Sequence, residues 1–215
     1  MAASKLSWAI PGQNSPWILR GWRNVWIGVA LALLALTFVP GVAHAQEGTA
    51  RHKLWSKLGH SHWIAQGSGT RILYVIFDPN CPYCHVLIDE LQSQIQPLHL
   101  QVRYILVGFL APSSSGKAAY ILQAKDPLAA ILENEKKFNM AHFGGVPETL
   151  GDEKTDKILE GNLALLNKAG KQLVPTMIYR EEDGSLQIVQ GALNSSNLRD
   201  ALKEIPLHPK ALPGK

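Results

Sequence analysis

Two hydrophobic periodicities follow one another after residue 70 of this 215-residue chain, and each predicts a different kind of element. Residues 72–77 form a continuous apolar run rich in β-branched side chains, which is typical of a strand buried on both faces. Apolar residues then recur at helical spacing, at Val86, Leu87, Leu91 and Ile95. A second apolar run covers residues 102–107, so the order strand, helix, strand predicts a βαβ unit.

The chain beyond this unit shows no strand pattern until residue 175. It predicts a helical insertion over about residues 112–170, with helices at 118–124, 127–138 and 155–168. Two antiparallel strands and a last helix follow, at 176–179, 186–189 and from Ser195 or Ser196 onwards. Together these elements predict an α/β fold in which the helical insertion separates a βαβ half from a ββα half.

The beginning of the chain has the pattern of a secretory signal. Residues 25–39 are apolar and uncharged, they follow Arg20 and Arg23, and Ala43-His44-Ala45 offers the small residues that a signal peptidase recognises. We therefore expect a signal peptide at 1–45, cleaved after Ala45. An uncleaved anchor is the alternative, although fifteen residues rise only ~22 Å as a helix, against a hydrocarbon core of about 30 Å. Either way the remaining chain lies outside the cytoplasm, where disulfides form and persist.

The positive charge of the chain belongs to this leader. The formal net charge is +4, but residues 1–45 contain three basic residues and no acidic ones, which leaves 18 basic and 17 acidic residues for 46–215. Nucleic-acid binding is therefore not predicted, and a hydrophobic content of 46% excludes a disordered chain. Residues 46–70 are expected to form an N-terminal extension with a short helix around 53–58, in which Trp55 and Trp63 serve packing. Residues 71–208 are expected to form the catalytic domain.

The two cysteines of the chain lie together in the segment Cys81-Pro82-Tyr83-Cys84. The segment stands where a predicted strand ends and a helix begins, and a helix N-terminus stabilises a thiolate. Two intervening residues allow the sulfurs to meet within one helical turn, and Pro82 suits the first turn of a helix. The pattern predicts a redox-active disulfide, with Cys81 as the exposed nucleophile and Cys84 as the shielded resolving cysteine.

Three other uses of the cysteine pair were considered. A zinc site needs four ligands, so His85, His99 or His142 would have to complete it, and their spacing does not suggest this. A purely structural disulfide over one helical turn closes too short a loop to stabilise the fold much. Cys81, Cys84 and His85 also spell the attachment motif of a c-type haem, which would need Met140 or Met177 as the axial ligand. No cofactor and no metal is predicted.

The stretch from Tyr74 to Cys84 resembles the active-site segment of the periplasmic thiol:disulfide interchange proteins of the DsbC/DsbG family, and its Cys-Pro-Tyr-Cys form is most similar to the DsbG branch. The resemblance extends over about residues 53–205. It includes Ser61-His62-Trp63 before the first strand, Leu106-Val107-Gly108 at the end of the second, Ala124-Lys125-Asp126-Pro127 in the insertion, and Val174-Pro175 before the next strand.

This resemblance implies a thioredoxin fold in which Pro175 is in cis beside the disulfide and its loop pairs with the substrate. Pro82, Tyr83, Val174 and Pro175 are then expected to shape the substrate groove. Valine stands at 174 where DsbG-type proteins usually have threonine, so the resemblance does not extend to redox potential or substrate preference. Asp78 and His85 are candidate tuning residues: Asp78 for proton transfer, although a turn at a strand end also accounts for it, and His85 because its charge would stabilise a thiolate.

The expected function is that of a periplasmic thiol:disulfide oxidoreductase, either a reductase and isomerase or an oxidase. Its expected partners are cysteine-containing exported proteins and a membrane redox partner that recycles the pair. A c-type haem protein and a binding module without turnover remain alternatives. Family members carry an N-terminal dimerisation domain, whereas 26 residues separate Ala45 from the first strand here, so a monomer is expected.

Overall fold

The computed structural model describes residues 41–208, and its sheet and core belong to the part of the chain that begins at Glu47. The predicted leader, 1–45, lies largely outside the described residues. Between 41 and 208, none of the helices is both long enough and apolar enough to span a membrane. The elements in chain order are α1 (Gly41–Gly59), β1 (Ile64–Gln66), β2 (Arg71–Phe77), α2 (Pro82–Gln92), β3 (Leu100–Leu106), α3 (Ser114–Gln123), α4 (Pro127–Lys136), α5 (Glu153–Ala169), β4 (Thr176–Arg180), β5 (Leu186–Gln190) and α6 (Ser195–Glu204).

The strands form one sheet in the order β1-β3-β2-β4-β5. β2 and β3 are parallel, with Phe77 opposite Leu106, as a βαβ unit requires. β4 is antiparallel to β2 and to β5, so the short turn after Arg180 closes a hairpin. Residues 73–77 of β2 are completely buried, because this strand lies in the middle of the sheet with elements on both faces. The predicted α/β architecture, with a helical insertion between its two halves, is confirmed.

Two features at the N-terminal side differ from the predictions. The helix around 53–58 is part of a much longer one, α1. Among its residues 48–59 only Leu54 and Leu58 are buried, so the apolar pattern marks just the C-terminal part of the helix. Strand β1 was not predicted. It has three residues and adds to the sheet edge by pairing Ile64 with Tyr104, a contact between segments 40 residues apart that no local pattern reveals.

Two helices of the insertion, α3 and α4, bury polar side chains on their inner faces. In α3 the buried positions include Ser114, Lys117, Ala118 and Ile121, and in α4 they are Ala130, Ile131, Asn134 and Glu135. Both sets follow the i, i+3, i+4 spacing of a helix face. The inner faces of these helices are therefore partly polar. Ser114, Lys117 and Asn134 contact the loop that precedes Cys81, whereas Glu135 contacts His85.

Candidate active site

The sulfurs of Cys81 and Cys84 are bonded to each other at the N-terminus of α2. Cys81 is the N-cap residue, with extended backbone, and its Sγ lies 3.1 Å from the backbone nitrogen of Cys84. The Cys81 carbonyl accepts from the nitrogens of Cys84 and His85, both at 3.1 Å, and Pro82 occupies the first helical position. The Cys84 N–H thus points at the Cys81 sulfur as well as at the Cys81 carbonyl, and this position at a helix N-terminus favours an anion on the sulfur.

Both cysteines are buried, and this corrects the expectation of an exposed Cys81. Cys81 is 3% exposed and Cys84 is 1% exposed. The reason is the loop before β4: the carbonyl oxygen of Val174 lies 3.7 Å from Cys81 Sγ, and Val174 is itself buried. The peptide bond between Val174 and Pro175 is cis. The loop that the resemblance assigned to the substrate groove therefore covers the disulfide.

Three exposed hydrophobic side chains lie close in the chain to the cysteines or to the covering loop. Tyr83 is 64% exposed, and Val86 on the same helix is also exposed. Leu173, the residue before the covering loop, is exposed as well. A protein chain that approached the disulfide would meet these side chains first.

Asp78 is a buried anchor of the loop between β2 and α2. One carboxylate oxygen accepts from the backbone nitrogen of Asn80 at 2.9 Å and from Ser114 Oγ at 2.7 Å. The other accepts from the backbone nitrogens of Phe109 and Leu110, at 2.8 and 3.0 Å. Four donors thus bind the carboxylate of Asp78, a residue that is only 1% exposed. This geometry favours a structural role for Asp78 over a role in proton transfer.

Asn80 and Lys117 form a second anchor that the sequence analysis missed. Asn80 donates to Ser114 Oγ at 3.0 Å, and its Oδ1 accepts from Lys117 Nζ at 2.8 Å. Lys117 Nζ also donates to the carbonyl oxygens of His142 and Gly144, at 3.1 and 2.7 Å, and burial lowers the pKa of its ammonium. The insertion therefore holds the residue directly before Cys81 through a buried cation.

His85, on the other side of the disulfide, is held by α4. Its Nδ1 lies 3.1 Å from Glu135 Oε2, and its ring stacks on Phe138 at 4.6 Å with the planes 7° apart. Glu135 is only 7% exposed, and its burial raises the pKa of its carboxyl group. Asn134, the residue before it, donates to Glu135 Oε1 and to the carbonyl oxygen of Pro79, both at 3.0 Å.

The sequence does contain a signal for Lys117, Asn134 and Glu135. Lys117 stands three residues after Ser114 and four before Ile121, and Asn134 and Glu135 stand three and four residues after Ile131. These are the positions where an inward-facing apolar side chain is expected, so a polar residue there indicates a buried polar contact. Which contact it makes is decided by the tertiary fold.

The arrangement argues against the two metal-based alternatives. The two sulfurs are bonded to each other, whereas haem attachment and zinc ligation need them free. Met177, a proposed axial ligand, is buried in the middle of the sheet opposite Val75, and Met140 is exposed. Across residues 41–208, no three His, Cys, Asp or Glu side chains converge so as to hold a metal ion.

Comparisons with known proteins agree with the fold and with the cysteine pair. Two curated relatives are named thiol:disulfide interchange protein DsbG. The one from Pseudomonas aeruginosa is 30% identical over 155 residues, which cover 70% of this chain and 59% of that protein. The one from Escherichia coli is 29% identical over 151 residues, covering 69% and 60%. This chain therefore spans about 60% of the length of these relatives.

Solved structures show the same fold at lower identity. A periplasmic thioredoxin-like protein from Salmonella enterica serovar Typhimurium superposes with a TM-score of 0.51 at 21% identity, over 70% of this chain and 94% of that one. The thiol-disulfide exchange protein α-DsbA2 from Wolbachia pipientis gives 0.55 at 14%, over 75% and 98%. The thioredoxin-like domain family matches residues 60–206, more than half of the chain. With this match, the sheet order and the cysteine pair at the N-terminus of α2, the chain belongs to the thioredoxin-like family.

Proposed function

We propose that this protein is a thiol:disulfide oxidoreductase that acts on the cysteines of exported proteins in the periplasm. The observation that carries the proposal is the Cys81–Cys84 disulfide at the N-terminus of α2, with Cys84 N–H directed at Cys81 Sγ from 3.1 Å. The names of the two curated relatives support the same chemistry.

In the reducing direction, the Cys81 thiolate attacks one sulfur of a client disulfide. A bond forms between Cys81 and that sulfur, the client S–S bond breaks, and the second client sulfur leaves as a thiolate. Cys84 then loses its proton and attacks Cys81, which restores the Cys81–Cys84 disulfide and releases the first client thiolate. Two electrons pass to the client. In the oxidising direction the same steps run backwards and the client becomes the disulfide.

The remaining site residues have proposed roles in these steps. Cys81 is the catalytic nucleophile because it occupies the N-cap, and Cys84 is the resolving residue because it lies deeper in the helix. Val174 and Pro175 form the loop against Cys81, so a client must pair with or displace this loop to reach the sulfur. Tyr83 and Pro82 form the tip of the groove, and a membrane redox partner would use the same tip to recycle the pair.

Trapping of mixed disulfides tests the proposal. In Cys84→Ala the resolving step is lost, so Cys81 should remain bound to clients and accumulate mixed disulfides that a reductant releases. The matched variant Cys81→Ala should trap few. Equal trapping by both variants would contradict the assignment of nucleophile and resolver. No trapping by either, together with no exchange with glutathione, would contradict the function itself and favour a binding module.

A further inference from the structure

The helical insertion contacts the active-site segment on both sides of the disulfide through two consecutive residues of α4. Asn134 Nδ2 donates to the carbonyl oxygen of Pro79, before Cys81, and Glu135 Oε2 pairs with His85 Nδ1, directly after Cys84. The two residues are also bonded to each other, Nδ2 to Oε1 at 3.0 Å. A single helical turn therefore contacts both ends of the redox segment.

Glu135 is an ionisable group of this contact, and it takes no part in the exchange steps described above. It is 7% exposed, while its partner His85 has a third of its side chain in solvent. Burial raises the pKa of the Glu135 carboxyl, and the hydrogen bonds from Asn134 and His85 act in the opposite direction. A buried carboxyl group in this position is costly, and the imidazole is the group that compensates it.

The imidazole is also fixed in orientation. Phe138 covers one face of the ring, nearly parallel at 4.6 Å, and Glu135 holds Nδ1. A cavity of about 360 Å³ opens beside the pair, between α2 and α4. It is lined by His85, Ile88, Asp89, Gln92, Leu132, Glu135 and Lys136. Asp89 on α2 and Lys136 on α4 are the other charged groups facing this cavity, through which the pair can exchange protons with solvent.

His85 lies in the first turn of α2, and the N-terminus of this helix faces the Cys81 sulfur. The backbone nitrogen of His85 donates to the Cys81 carbonyl at 3.1 Å, so the side chain leaves the helix within one turn of the N-cap. On this geometry, and resting on the proposed function, we infer that Glu135 is a positioning residue that acts through His85. By orienting the imidazole at the first turn of α2, where its positive charge stabilises the Cys81 anion, Glu135 sets the redox balance of the disulfide.

The charges give the direction of the effect. An imidazolium held at the first turn of α2 favours the Cys81 anion, and with it the reduced form of the protein. A protein whose reduced form is stabilised in this way is the stronger oxidant. The insertion therefore adjusts the redox centre through charge, in addition to holding it in place.

The test compares Glu135→Gln with Glu133→Gln, a control on an exposed glutamate of the same helix that pairs with Lys137. Two quantities are measured: the thiolate titration of Cys81 in the Cys84→Ala background, and the glutathione equilibrium of the two-cysteine protein. In Glu135→Gln we expect the thiolate to form at higher pH, and the equilibrium to move about threefold to tenfold towards the disulfide. Glu133→Gln should behave as the unaltered protein in both measurements.

The same substitutions are repeated with His85→Asn. Glu135→Gln should then lose this effect or reverse it, because it only removes a negative charge. An effect of equal size and sign in both backgrounds, or none beyond that of Glu133→Gln, would overturn the inference. Neither measurement involves a protein client, so a shifted thiolate titration without client trapping would support this inference and contradict the proposed function.

Discussion

At the scale of single residues, the side chains around the disulfide divide into buried anchors and exposed contacts. Asp78 is an anchor: its carboxylate accepts four hydrogen bonds and it is 1% exposed. Tyr83 is an exposed contact and has no hydrogen-bond partner to lose. The two residues are close together in the chain, yet opposite results are expected from replacing them.

Asp78→Ala should destabilise the protein by at least about 3 kcal/mol, because it leaves four donors without their acceptor in a buried site. Urea unfolding measures this. Asp126→Ala is the control: Asp126 caps the exposed start of α4 by accepting from Ala129 N, and its loss should cost about 1 kcal/mol. If Asp78→Ala instead left stability unchanged and altered only the pH dependence of exchange, the proton-transfer role would be supported.

Tyr83→Ala should leave the free energy of unfolding within about 0.5 kcal/mol, because the ring is mostly in solvent. We expect exchange with protein clients to become slower, since an aromatic surface beside the disulfide is lost. Exchange with glutathione, which contacts far less of the surface, should change little. Equal slowing with both substrates would show that Tyr83 acts on the disulfide itself rather than on client contact.

At the scale of elements, contacts between strands and helices shift the pKa of buried side chains. Tyr179 on β4 is 4% exposed, and its hydroxyl lies 3.4 Å from Glu204 Oε2 on α6. Burial, followed by the charges of Glu204 and Glu181, raises the pKa of Tyr179 to about 12. The phenol in an unfolded chain loses its proton near pH 10.

This difference predicts a loss of stability at alkaline pH. Between about pH 10 and 12 the unfolded chain releases the Tyr179 proton while the folded protein retains it, so the free energy of unfolding falls as pH rises. Tyr179→Phe should make this fall less steep, as measured by unfolding at several pH values. Glu204→Gln should move tyrosinate formation to lower pH. An unchanged slope in Tyr179→Phe would contradict this assignment.

At the scale of the whole molecule, the aromatic side chains of the N-terminal segment are used inside the protomer. The Trp55 ring stands edge-on to Tyr74 at 5.1 Å, and the Arg180 guanidinium lies 4.9 Å from its centre. Trp63 is covered by Arg103 at 4.3 Å. Both tryptophans are partly buried in this way, so they offer little apolar surface to a second copy of the chain.

We therefore expect the mature protein to be a monomer. Sedimentation equilibrium over a roughly tenfold range of concentration should give the protomer mass throughout. Isomerase activity on scrambled clients should be weak relative to simple oxidation or reduction, because no second subunit encloses a misfolded chain. A dimer that persists on dilution would contradict the monomer prediction and would favour an isomerase activity.

The sequence by itself determined the features that depend on neighbouring residues. Apolar runs predicted β2, β3 and β4 to within two residues, and helical spacing predicted the insertion, because periodicity reports which faces of an element are buried. The position of Cys81 and Cys84 at the junction of a strand and a helix also followed from local pattern, and the proposed redox chemistry rests on that position.

The tertiary structure alone decided what depends on residues far apart in the chain. Cys81 is buried because Val174, 93 positions later, lies over it. Glu135 became part of the site because α4 folds back onto His85, 50 positions earlier. Strand β1 forms because residues 64–66 pair with β3 at the edge of the sheet. A periodic pattern shows that a side chain points inwards but carries no record of which distant group it meets, so these contacts could be read only from the folded chain.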